Sequence, residues 1–470
     1  MSQPNIVFIL IDDMGWMDLG CYGSSFYETP NLDRLARQGM RMTHGYAAAP
    51  LCSPTRASIL TGKYPATVQI TNYIFGQGSG KLLSAPYLDH LPTQETTIAA
   101  ALGQGGYQTW HVGKWHLGGQ EKYWPENHGF DVNIGGWRAG RPESYFPPYH
   151  NPRLPDGPEG EYLTDRLTDE AIGLIDRRDP DRPFFLNMCY YAVHTPIQAK
   201  DELIAKYRAK ARALGLDQLD PMEIGEPFPC LHKQGQNIIR RKFQSDPVYA
   251  AMIQTLDENI GRLMDTLDAQ GLAEDTLVIF TSDNGGLSTA EGSPTCNAPL
   301  SEGKGWMYEG GNREPMIFRW PGKIAADSIC DQYVTSPDFY PTLLEWAQLE
   351  PMPDQHSDGV SLVKLLTDGV DDSLAQRPVF WHYPHYSNQG DTPSCAVRKG
   401  PWKLIEWFED NHIELYNVVE DVGETNDQSA HKPQLVEQLS ALLHDWLESS
   451  GAKIPQPNPE RIDLNATWKG

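Results

Sequence analysis

Apolar and polar positions follow two alternating patterns along most of the chain. Continuous apolar runs such as "IVFILI" at Ile6–Ile11 are typical of strands buried on both faces. Between these runs, apolar residues recur at helical spacing, as in "VYAAMIQTLDENIGRLMDTLDAQG" at Val248–Gly271. Because the two patterns alternate over roughly the first 350 residues, we expect an α/β fold with a large mixed, mostly parallel sheet and helices on both faces.

The pattern changes after about Pro378. Short strand-like runs separated by turn residues appear in "PVFWHYP", "SCAVRKGPWKLIEWF" and "HIELYNVVED". An amphipathic helix, "PQLVEQLSALLHDWLESSG", follows them. We therefore expect a larger α/β domain at residues 1–375. A C-terminal α+β subdomain at residues 376–470 would contain a small antiparallel sheet closed by a helix.

The charge balance excludes some classes of partner. The chain has 38 Lys and Arg residues against 62 Asp and Glu residues, so its formal charge is −24. This balance argues against nucleic-acid binding and against a long groove for polyanions. An anionic ligand would need a local basic pocket.

The N-terminal sequence bears on location. The run Ile6–Ile11 is too short to span a membrane, and neither a basic segment nor a cleavage site accompanies it. We expect no membrane partner and a cytoplasmic location for the sequence as written. A periplasmic or secreted location would follow if a signal peptide had been removed.

One of the seven cysteines has unusual neighbours. The chain contains no C-x-x-C pair, which argues against a disulfide framework or a zinc knuckle. Cys52 stands in "PLCSPTRASILTGKYP", at the predicted start of a helix, with Arg56 about one turn later. A helix N-terminus offers free N–H groups and positive partial charge, and Arg56 adds a fixed cation. The segment indicates a site for an anion, or for a nucleophile that attacks one.

Polar pairs follow the predicted strands. Asp12 and Asp13 come directly after Ile6–Ile11, and Asp283 and Asn284 follow the apolar run "TLVIF". Since ligands of parallel sheets bind beyond the carboxyl ends of the strands, we expect these side chains to meet at one edge. Oxygen ligands of this type suit Ca²⁺ or Mg²⁺ rather than zinc.

Basic groups are expected at the same edge. Lys114 and His116 follow the strand predicted at "YQTWHVG", and His194 follows the strand predicted at "PFFLNMCYY". Together with Lys304, they are placed to hold an anion.

The motifs resemble those of a known family. "CSPTRASILTGKYP" resembles the signature C-x-P-x-R…T-G-[KR] of the type I, formylglycine-dependent sulfatases of the alkaline phosphatase superfamily. Five further elements match in family order: "NIVFILIDDMGWMDLGCYG", "GYQTWHVGKWHLG", "HTP" at His194, "TSDNGG", and "GKGWMYEGGNREPMIFRWPG". The resemblance covers nearly the whole chain, and within the family it is strongest to bacterial carbohydrate sulfatases.

The resemblance implies a fold and a set of cofactors. It implies an alkaline-phosphatase-like architecture and oxidation of Cys52 to Cα-formylglycine by a formylglycine-generating enzyme. Residue 52 would then supply the nucleophile and one ligand of a divalent cation, usually Ca²⁺, with Mg²⁺ as an alternative. The other implied metal ligands are Asp12, Asp13, Asp283 and Asn284.

The resemblance also implies roles for the basic residues. Arg56 would stabilise the hydrated formylglycine, and His116 would bond its second hydroxyl. Lys114, His194 and Lys304 would hold the sulfate oxygens, with His194 placed to protonate the leaving oxygen.

Two segments are candidates for the wall of a substrate pocket. Gly135–Pro152 contains Trp137, which could stack on a sugar ring, and Arg138 and Arg141, which could pair with a carboxylate or a second sulfate. Phe380–Asp391 in the C-terminal subdomain offers three partners for sugar hydroxyls: His382, His385 and Asp391. Ordinary structured surface loops explain both segments equally well.

The leading interpretation is a formylglycine sulfatase that acts on sulfated carbohydrates. The net charge favours an exo-acting enzyme with a pocket-shaped site, and galactose or N-acetylgalactosamine sulfates are the preferred substrates. One alternative is an arylsulfatase or a phosphonate monoester hydrolase of the same superfamily. Another is an unmodified, catalytically silent glycan-binding protein. The oligomeric state is not predicted.

Overall fold

The computed structural model describes residues 3–76 and 78–459. Its α-helices are α1 (Pro30–Arg37), α2 (Cys52–Thr61), α3 (Pro65–Val68), α4 (Ile98–Gln104), α5 (Leu163–Asp176), α6 (Asp201–Ala213), α7 (Pro247–Ala269), α8 (Glu309–Asn312), α9 (Phe339–Trp346), α10 (Val363–Asp368) and α11 (Pro433–Ser449). Its strands are β1 (Asn5–Ile11), β2 (Met40–Tyr46), β3 (Leu82–Leu83), β4 (Gln108–Gly113), β5 (Val132–Ile134), β6 (Phe184–Cys189), β7 (Met222–Pro227), β8 (Asn237–Arg241), β9 (Thr276–Ser282), β10 (Arg313–Arg319), β11 (Ser328–Cys330), β12 (Val334–Thr335), β13 (Val379–Tyr383), β14 (Ser394–Lys399), β15 (Trp402–Trp407), β16 (Ile413–Asn417) and β17 (Gln456–Pro457).

A nine-stranded sheet forms the centre of the molecule. Its order is β11-β2-β10-β9-β1-β6-β4-β5, and β12 also pairs with β2. The strands from β9 to β5 are parallel, whereas β10 runs antiparallel to both β9 and β2. This confirms the predicted mixed, mostly parallel sheet.

The central strand β1 is buried on both faces, as its apolar run predicts. Val7, Ile9 and Ile11 join a core that includes residues of α1, α5, α6 and α7. Ile6 and Phe8 point the other way, into a core with residues of α2, α4, α9 and α10. Helices therefore cover both faces of the sheet, as parallel strands require. In the described part of the chain, every helix lacks either the length or the apolar character of a membrane span.

A separate antiparallel sheet follows in the chain. Its order is β13-β14-β15-β16, and α11 packs against it through Leu439, Leu443 and Leu447. This confirms the predicted small sheet with its closing helix. We propose that both belong to a C-terminal subdomain of residues 376–470, of which residues 460–470 lie outside the described part.

A buried ion cluster joins the second sheet to the first. Lys403 on β15 is fully buried, and its Nζ lies 3.1 Å from Glu309 Oε1 and 3.0 Å from Glu424 Oε1. Tyr46 at the end of β2 donates a hydrogen bond to Glu309 Oε2 at 2.6 Å. Since Glu309 begins α8, a few residues after Lys304, the cluster fixes the segment that carries that lysine.

Replacing Lys403 with methionine is expected to lower the free energy of unfolding by about 3–5 kcal/mol, because two carboxylates would stay buried without their ammonium partner. Urea denaturation followed by tryptophan fluorescence measures the change. The matched control is Lys399→Met on β14, where the lysine is exposed and the change should stay within about 0.5 kcal/mol. Equal effects of the two substitutions would contradict a structural role for the cluster.

Candidate active site

Four neighbouring parallel strands end at one edge of the main sheet. They stand in the order β9-β1-β6-β4. Asp12 and Asp13 follow β1, Asp283 and Asn284 follow β9, and Lys114 follows β4. The turn after β6 brings His194 to the same edge, where its Nε2 lies 3.6 Å from Asp13 Oδ2. The sheet order thus gathers residues that are far apart in the chain, as predicted.

The acidic and amide side chains form one buried cluster. Asn284 Nδ2 donates to Asp13 Oδ1 at 2.8 Å, and the Asp13 backbone N–H donates to Asp283 Oδ1 at 3.3 Å. Asp13 itself has a left-handed backbone with φ of 64°. Asp12, Asp283 and Asn284 are fully buried, and Asp13 is 1% exposed.

Each carboxylate of this cluster has a cationic partner. The Lys114 ammonium contacts both oxygens of Asp12, at 2.8 and 2.7 Å. Arg56 Nε donates to Asp283 Oδ2 at 2.7 Å. The partner of Asp13 is Lys304, whose Nζ lies 2.7 Å from Asp13 Oδ2. Without these cations, three buried carboxylates would be strongly unfavourable.

The two adjacent aspartates titrate differently. Burial raises the pKa of Asp12 well above its ordinary value, despite Lys114. Burial alone would also raise the pKa of Asp13, but Lys304 and His194 hold it below its usual range. The Asp13 side of the cluster is therefore the more firmly anionic.

The cluster fits a hard divalent cation. Ligand atoms of Asp12, Asp13 and His194 lie within 4.8 Å of one another. Asn284 Oδ1 is buried, and none of the described residues donates a hydrogen bond to it. A buried amide oxygen that accepts no hydrogen bond, together with the surrounding carboxylates, offers the oxygen ligands that Ca²⁺ or Mg²⁺ uses. Asp12, Asp13, Asp283 and Asn284 can hold such an ion through oxygen.

Cys52 lies beside this cluster, at the first position of α2. It is 3% exposed, and its Sγ lies 3.3 Å from His116 Nδ1. Burial raises the pKa of the Cys52 thiol, which lowers the fraction of reactive thiolate. An unmodified Cys52 is therefore a poor nucleophile. The predicted helix start is correct, and Arg56 pairs with Asp283.

The two histidines of the site are kept neutral. Burial, followed by the charges of Lys114 and Arg56, lowers the pKa of His116 well below its ordinary value. Burial and Lys304 lower the pKa of His194 to about 3, and its Nε2 lies 3.1 Å from Lys304 Nζ. A neutral histidine next to an ammonium can accept a proton or relay one to a bound group.

A cavity of about 500 Å³ opens above Cys52, His116, His194 and Lys304. Arg138 and Arg141, both predicted as pocket residues, line it and are exposed. Gly140 lies between them, and a Cβ added there would come within 2.4 Å of the His116 ring. The loop therefore packs closely over His116 and brings two guanidinium groups to the cavity.

Four predicted substrate residues lie elsewhere. Trp137 lines a separate cavity beside His150 and not the one above Cys52, so its contact with substrate stays a prediction. His382 and His385 are 2% and 0% exposed, because β13 and the turn after it are covered on all sides. They bond to Lys453 O and to Thr71 Oγ1.

The third expected partner for sugar hydroxyls is also internal. Asp391 is 2% exposed and accepts hydrogen bonds from the Met307 backbone and from Trp407 Nε1. The expectation that His382, His385 and Asp391 contact substrate is therefore corrected: all three are buried, and the residues of this segment that line the cavity are Asn388 and Gln389.

The lining residues that the sequence did not predict include Tyr73, Phe75, Glu291, Asn388 and Gln389. Asn388 and Gln389 do lie inside the segment Phe380–Asp391, in "YSNQGD", whose turn composition was a usable signal. Tyr73 and Phe75 belong to an irregular segment after α3, and Glu291 to a turn after β9. No periodic pattern marks such positions.

Comparison with known proteins places the chain in a family. The family profile described as Sulfatase matches residues 4–349. A second profile, described as the C-terminal region of N-sulphoglucosamine sulphohydrolase, matches residues 302–452. Together the two profiles span both sheets.

Individual proteins are similar over most of their length. A sulfatase of Formosa agariphila is 32% identical, covering 98% of this chain and 93% of its own. The N-acetylgalactosamine-6-sulfatase of Homo sapiens is 32% identical, covering 88% of this chain and 74% of its own. A solved structure described as Ps i-CgsB in complex with k-i-k-neocarrahexaose has a TM-score of 0.77 at 27% identity, covering 95% of this chain and 93% of that one. The chain belongs to the sulfatase family, with an alkaline-phosphatase-like fold, and is a sulfuric ester hydrolase.

Proposed function

We propose that this sulfatase removes sulfate from carbohydrates, acts from the end of the glycan chain, and uses a formylglycine made from Cys52 together with a divalent cation. The observation that carries the proposal is the composition of one cavity. Its base holds Cys52 beside three basic groups, His116, His194 and Lys304, and its wall holds two exposed arginines. An overall charge of −24 makes this concentration of cations notable.

The chain's own residues supply the electrostatics of sulfate binding. Lys114 and Lys304 are buried ammonium groups that contact Asp12 and Asp13. Preorganised cations of this kind stabilise charge that develops on sulfate oxygens without the cost of reorganising water. His194, 3.1 Å from Lys304, is the candidate that relays a proton to the leaving oxygen.

His116 serves the other side of the reaction. Its Nδ1 already faces residue 52 at 3.3 Å, and its pKa is low enough to keep it a proton acceptor at neutral pH. Arg56 stays fixed by Asp283 and by the Lys114 carbonyl, at 2.7 and 3.0 Å. Arg56 can orient the group that residue 52 carries, and His116 can accept its proton.

Two groups outside the encoded sequence complete the proposal. The formylglycine hydrate would supply two hydroxyls on one carbon, one to attack sulfur and one to release sulfate. The cation, held by Asp12, Asp13, Asp283 and Asn284 and by residue 52, would act as a Lewis acid that favours the deprotonated nucleophile. A formylglycine-generating enzyme is the implied partner for the modification.

Carbohydrate is the substrate class that the relatives favour. The human relative is named N-acetylgalactosamine-6-sulfatase, and the solved structure at 27% identity is in complex with k-i-k-neocarrahexaose. Sulfated sugars are the substrate class that this similarity supports. Galactose or N-acetylgalactosamine sulfates remain our preferred substrates.

The proposal of exo action rests on charge. A long sulfated polymer would be repelled by a surface with a net charge of −24. A cavity of about 500 Å³ can hold a terminal sulfate, and Arg138 and Arg141 in its lining can pair with that sulfate and with one neighbouring anionic group.

Activity is expected to follow the oxidation of Cys52. Expression with and without a formylglycine-generating enzyme should change specific activity in proportion to the formylglycine content, which mass spectrometry of the Cys52 peptide measures. Cys52→Ala should lower sulfate release by at least about a thousandfold, because no nucleophile remains.

The matched control for this experiment is Cys330→Ala, another buried cysteine, on β11. It should keep the activity, with a small loss of stability from the cavity it leaves. Full activity in a preparation whose Cys52 is entirely unmodified would refute the proposed nucleophile.

Chelation is expected to lower both activity and Tm. A cation present at a thousand times its Kd stabilises the folded state by about 4 kcal/mol, and EDTA removes that contribution. Thermal denaturation and sulfate release before and after EDTA, and after Ca²⁺ is restored, measure the effect.

Asn284→Ala should reduce the EDTA-induced shift in Tm, because one ligand is lost. Asn259→Ala, which removes a buried amide from α7, should leave the shift intact. Zinc bound through sulfur in a metal analysis would rule out the oxygen site.

Exo action is expected to show in the order of product release. A sulfated oligosaccharide labelled at its reducing end should lose sulfate only from the non-reducing terminal residue, because the rest of the chain does not fit the cavity. Mass spectrometry of labelled products over time reports the order. Early loss of internal sulfates would reveal an open cleft and contradict the argument from charge.

A further inference from the structure

One wall of the cavity carries a carboxylate to which the proposed chemistry assigns no role. Glu291 lines the cavity together with His194 and Lys304. Its Oε2 lies 3.4 Å from Thr195 Oγ1, and its Oε1 lies 3.4 Å from Gln389 Nε2. Both contacts are long for hydrogen bonds, so the carboxylate keeps most of its capacity to accept hydrogen bonds from a ligand.

The fold holds Glu291 in place. Its backbone is left-handed, with φ of 52°, and so is that of Ser293, with φ of 44°. The turn is fastened to β8, because Ser293 Oγ donates to Ile239 O at 2.9 Å and the Arg241 N–H donates to Ser288 O at 3.0 Å. Residues other than glycine keep a left-handed backbone where the surrounding contacts impose it, and such residues are frequent at binding sites.

Gln389 is the neighbour of Glu291 on the same wall. It is 3% exposed, and a Cβ added to Gly305 would lie 2.6 Å from its Oε1. Gln389 thus packs directly beside the residue that follows Lys304.

The basic part of the lining comes from a different loop. Arg138 and Arg141 are exposed, and neither forms an ion pair with any residue that the structure describes. The cavity therefore has a lining of mixed charge: one loop brings two guanidinium groups, and other segments bring a carboxylate and an amide. A sugar bound through its sulfate would present its other substituents to these two sets of groups.

We propose that Glu291 is a specificity-determining residue: it accepts a hydrogen bond from a free hydroxyl next to the sulfated position of the sugar, and it rejects sugars with a second sulfate at that hydroxyl. Gln389 supports this contact with an amide that can bond the same sugar edge. The inference rests on the proposed function and deepens it.

The physical basis is that a hydroxyl and a sulfate at the same position of the sugar would interact differently with the carboxylate of Glu291. A hydroxyl donates a charge-assisted hydrogen bond to the carboxylate. A sulfate has no proton to donate, and its negative charge would face and repel the carboxylate of Glu291. Specific sites commonly combine an attractive contact for one ligand with a repulsive one for its competitor.

The experiment compares monosulfated and disulfated sugars. Initial rates of sulfate release are measured on the 3-, 4- and 6-sulfates of N-acetylgalactosamine and of galactose, and on their 3,4- and 4,6-disulfates. The wild type should prefer the monosulfate. Glu291→Gln should reduce the ratio of kcat/KM for the monosulfate to that for the disulfate by about tenfold or more. Glu291→Asp should retain the preference, because the charge remains.

Glu223→Gln is the matched control, since Glu223 is an exposed carboxylate on the neighbouring strand β7. It should leave the ratio unchanged, and Tm and formylglycine content should be equal in all variants. An unchanged ratio in Glu291→Gln overturns the inference.

Two further outcomes also decide against it. An equal fall on both kinds of substrate would show that Glu291 acts on His194 through Thr195, and not on the sugar. A wild type that releases sulfate from none of the sugars would defeat the proposed function, and the inference with it. If the wild type is active and Glu291→Gln leaves the monosulfate-to-disulfate ratio unchanged, only the inference is contradicted and the proposed function stands.

Discussion

The pairing of three buried carboxylates with three buried cations is the constraint on which the rest of the structure depends. Asp12, Asp13 and Asp283 lie where the solvent cannot screen them, and each requires Lys114, Lys304 or Arg56 at hydrogen-bonding distance. These partners come from the end of β4, from the loop before α8 and from α2. The carboxylates therefore fix the relative positions of separate parts of the chain, and a shift in any of them would leave an unpaired charge.

Different parts of the structure carry the chemistry and the recognition of substrate. Charged groups that would act on sulfate come from buried strand ends, from α2 and from the anchored segment near α8. The residues that face the remainder of a substrate come from loops, including Arg138 after β5 and Gln389 between β13 and β14. Such loops can vary while the sheet stays the same, which is consistent with a family whose members share a fold at 27–32% identity.

The sequence predicted the strand ends well and the loops poorly, for a physical reason. A buried apolar run followed by polar residues defines both a strand and its carboxyl end, so the placement of Asp12, Lys114 and Asp283 at one edge could be predicted. The direction of a side chain in an irregular loop depends on contacts with distant residues. The chemistry of His382 suggests a contact with substrate, but its strand is covered on both faces. Glu291 lies in a turn that no hydrophobic pattern in the sequence marks.

The complete burial of α2 has a consequence for the order of events during synthesis. All ten residues of this helix are buried, including Pro54 and Arg56, so the folded protein does not display the motif that a maturation enzyme would read. Asp13 and Asp283 meet across 270 positions of sequence, so the site closes only after β9 has been made. The proposed oxidation of Cys52 therefore belongs to the interval in which the N-terminal part of the chain is still extended. A slower approach to the native state would lengthen that interval, so the yield of active enzyme would depend on the timing of folding as well as on its end point.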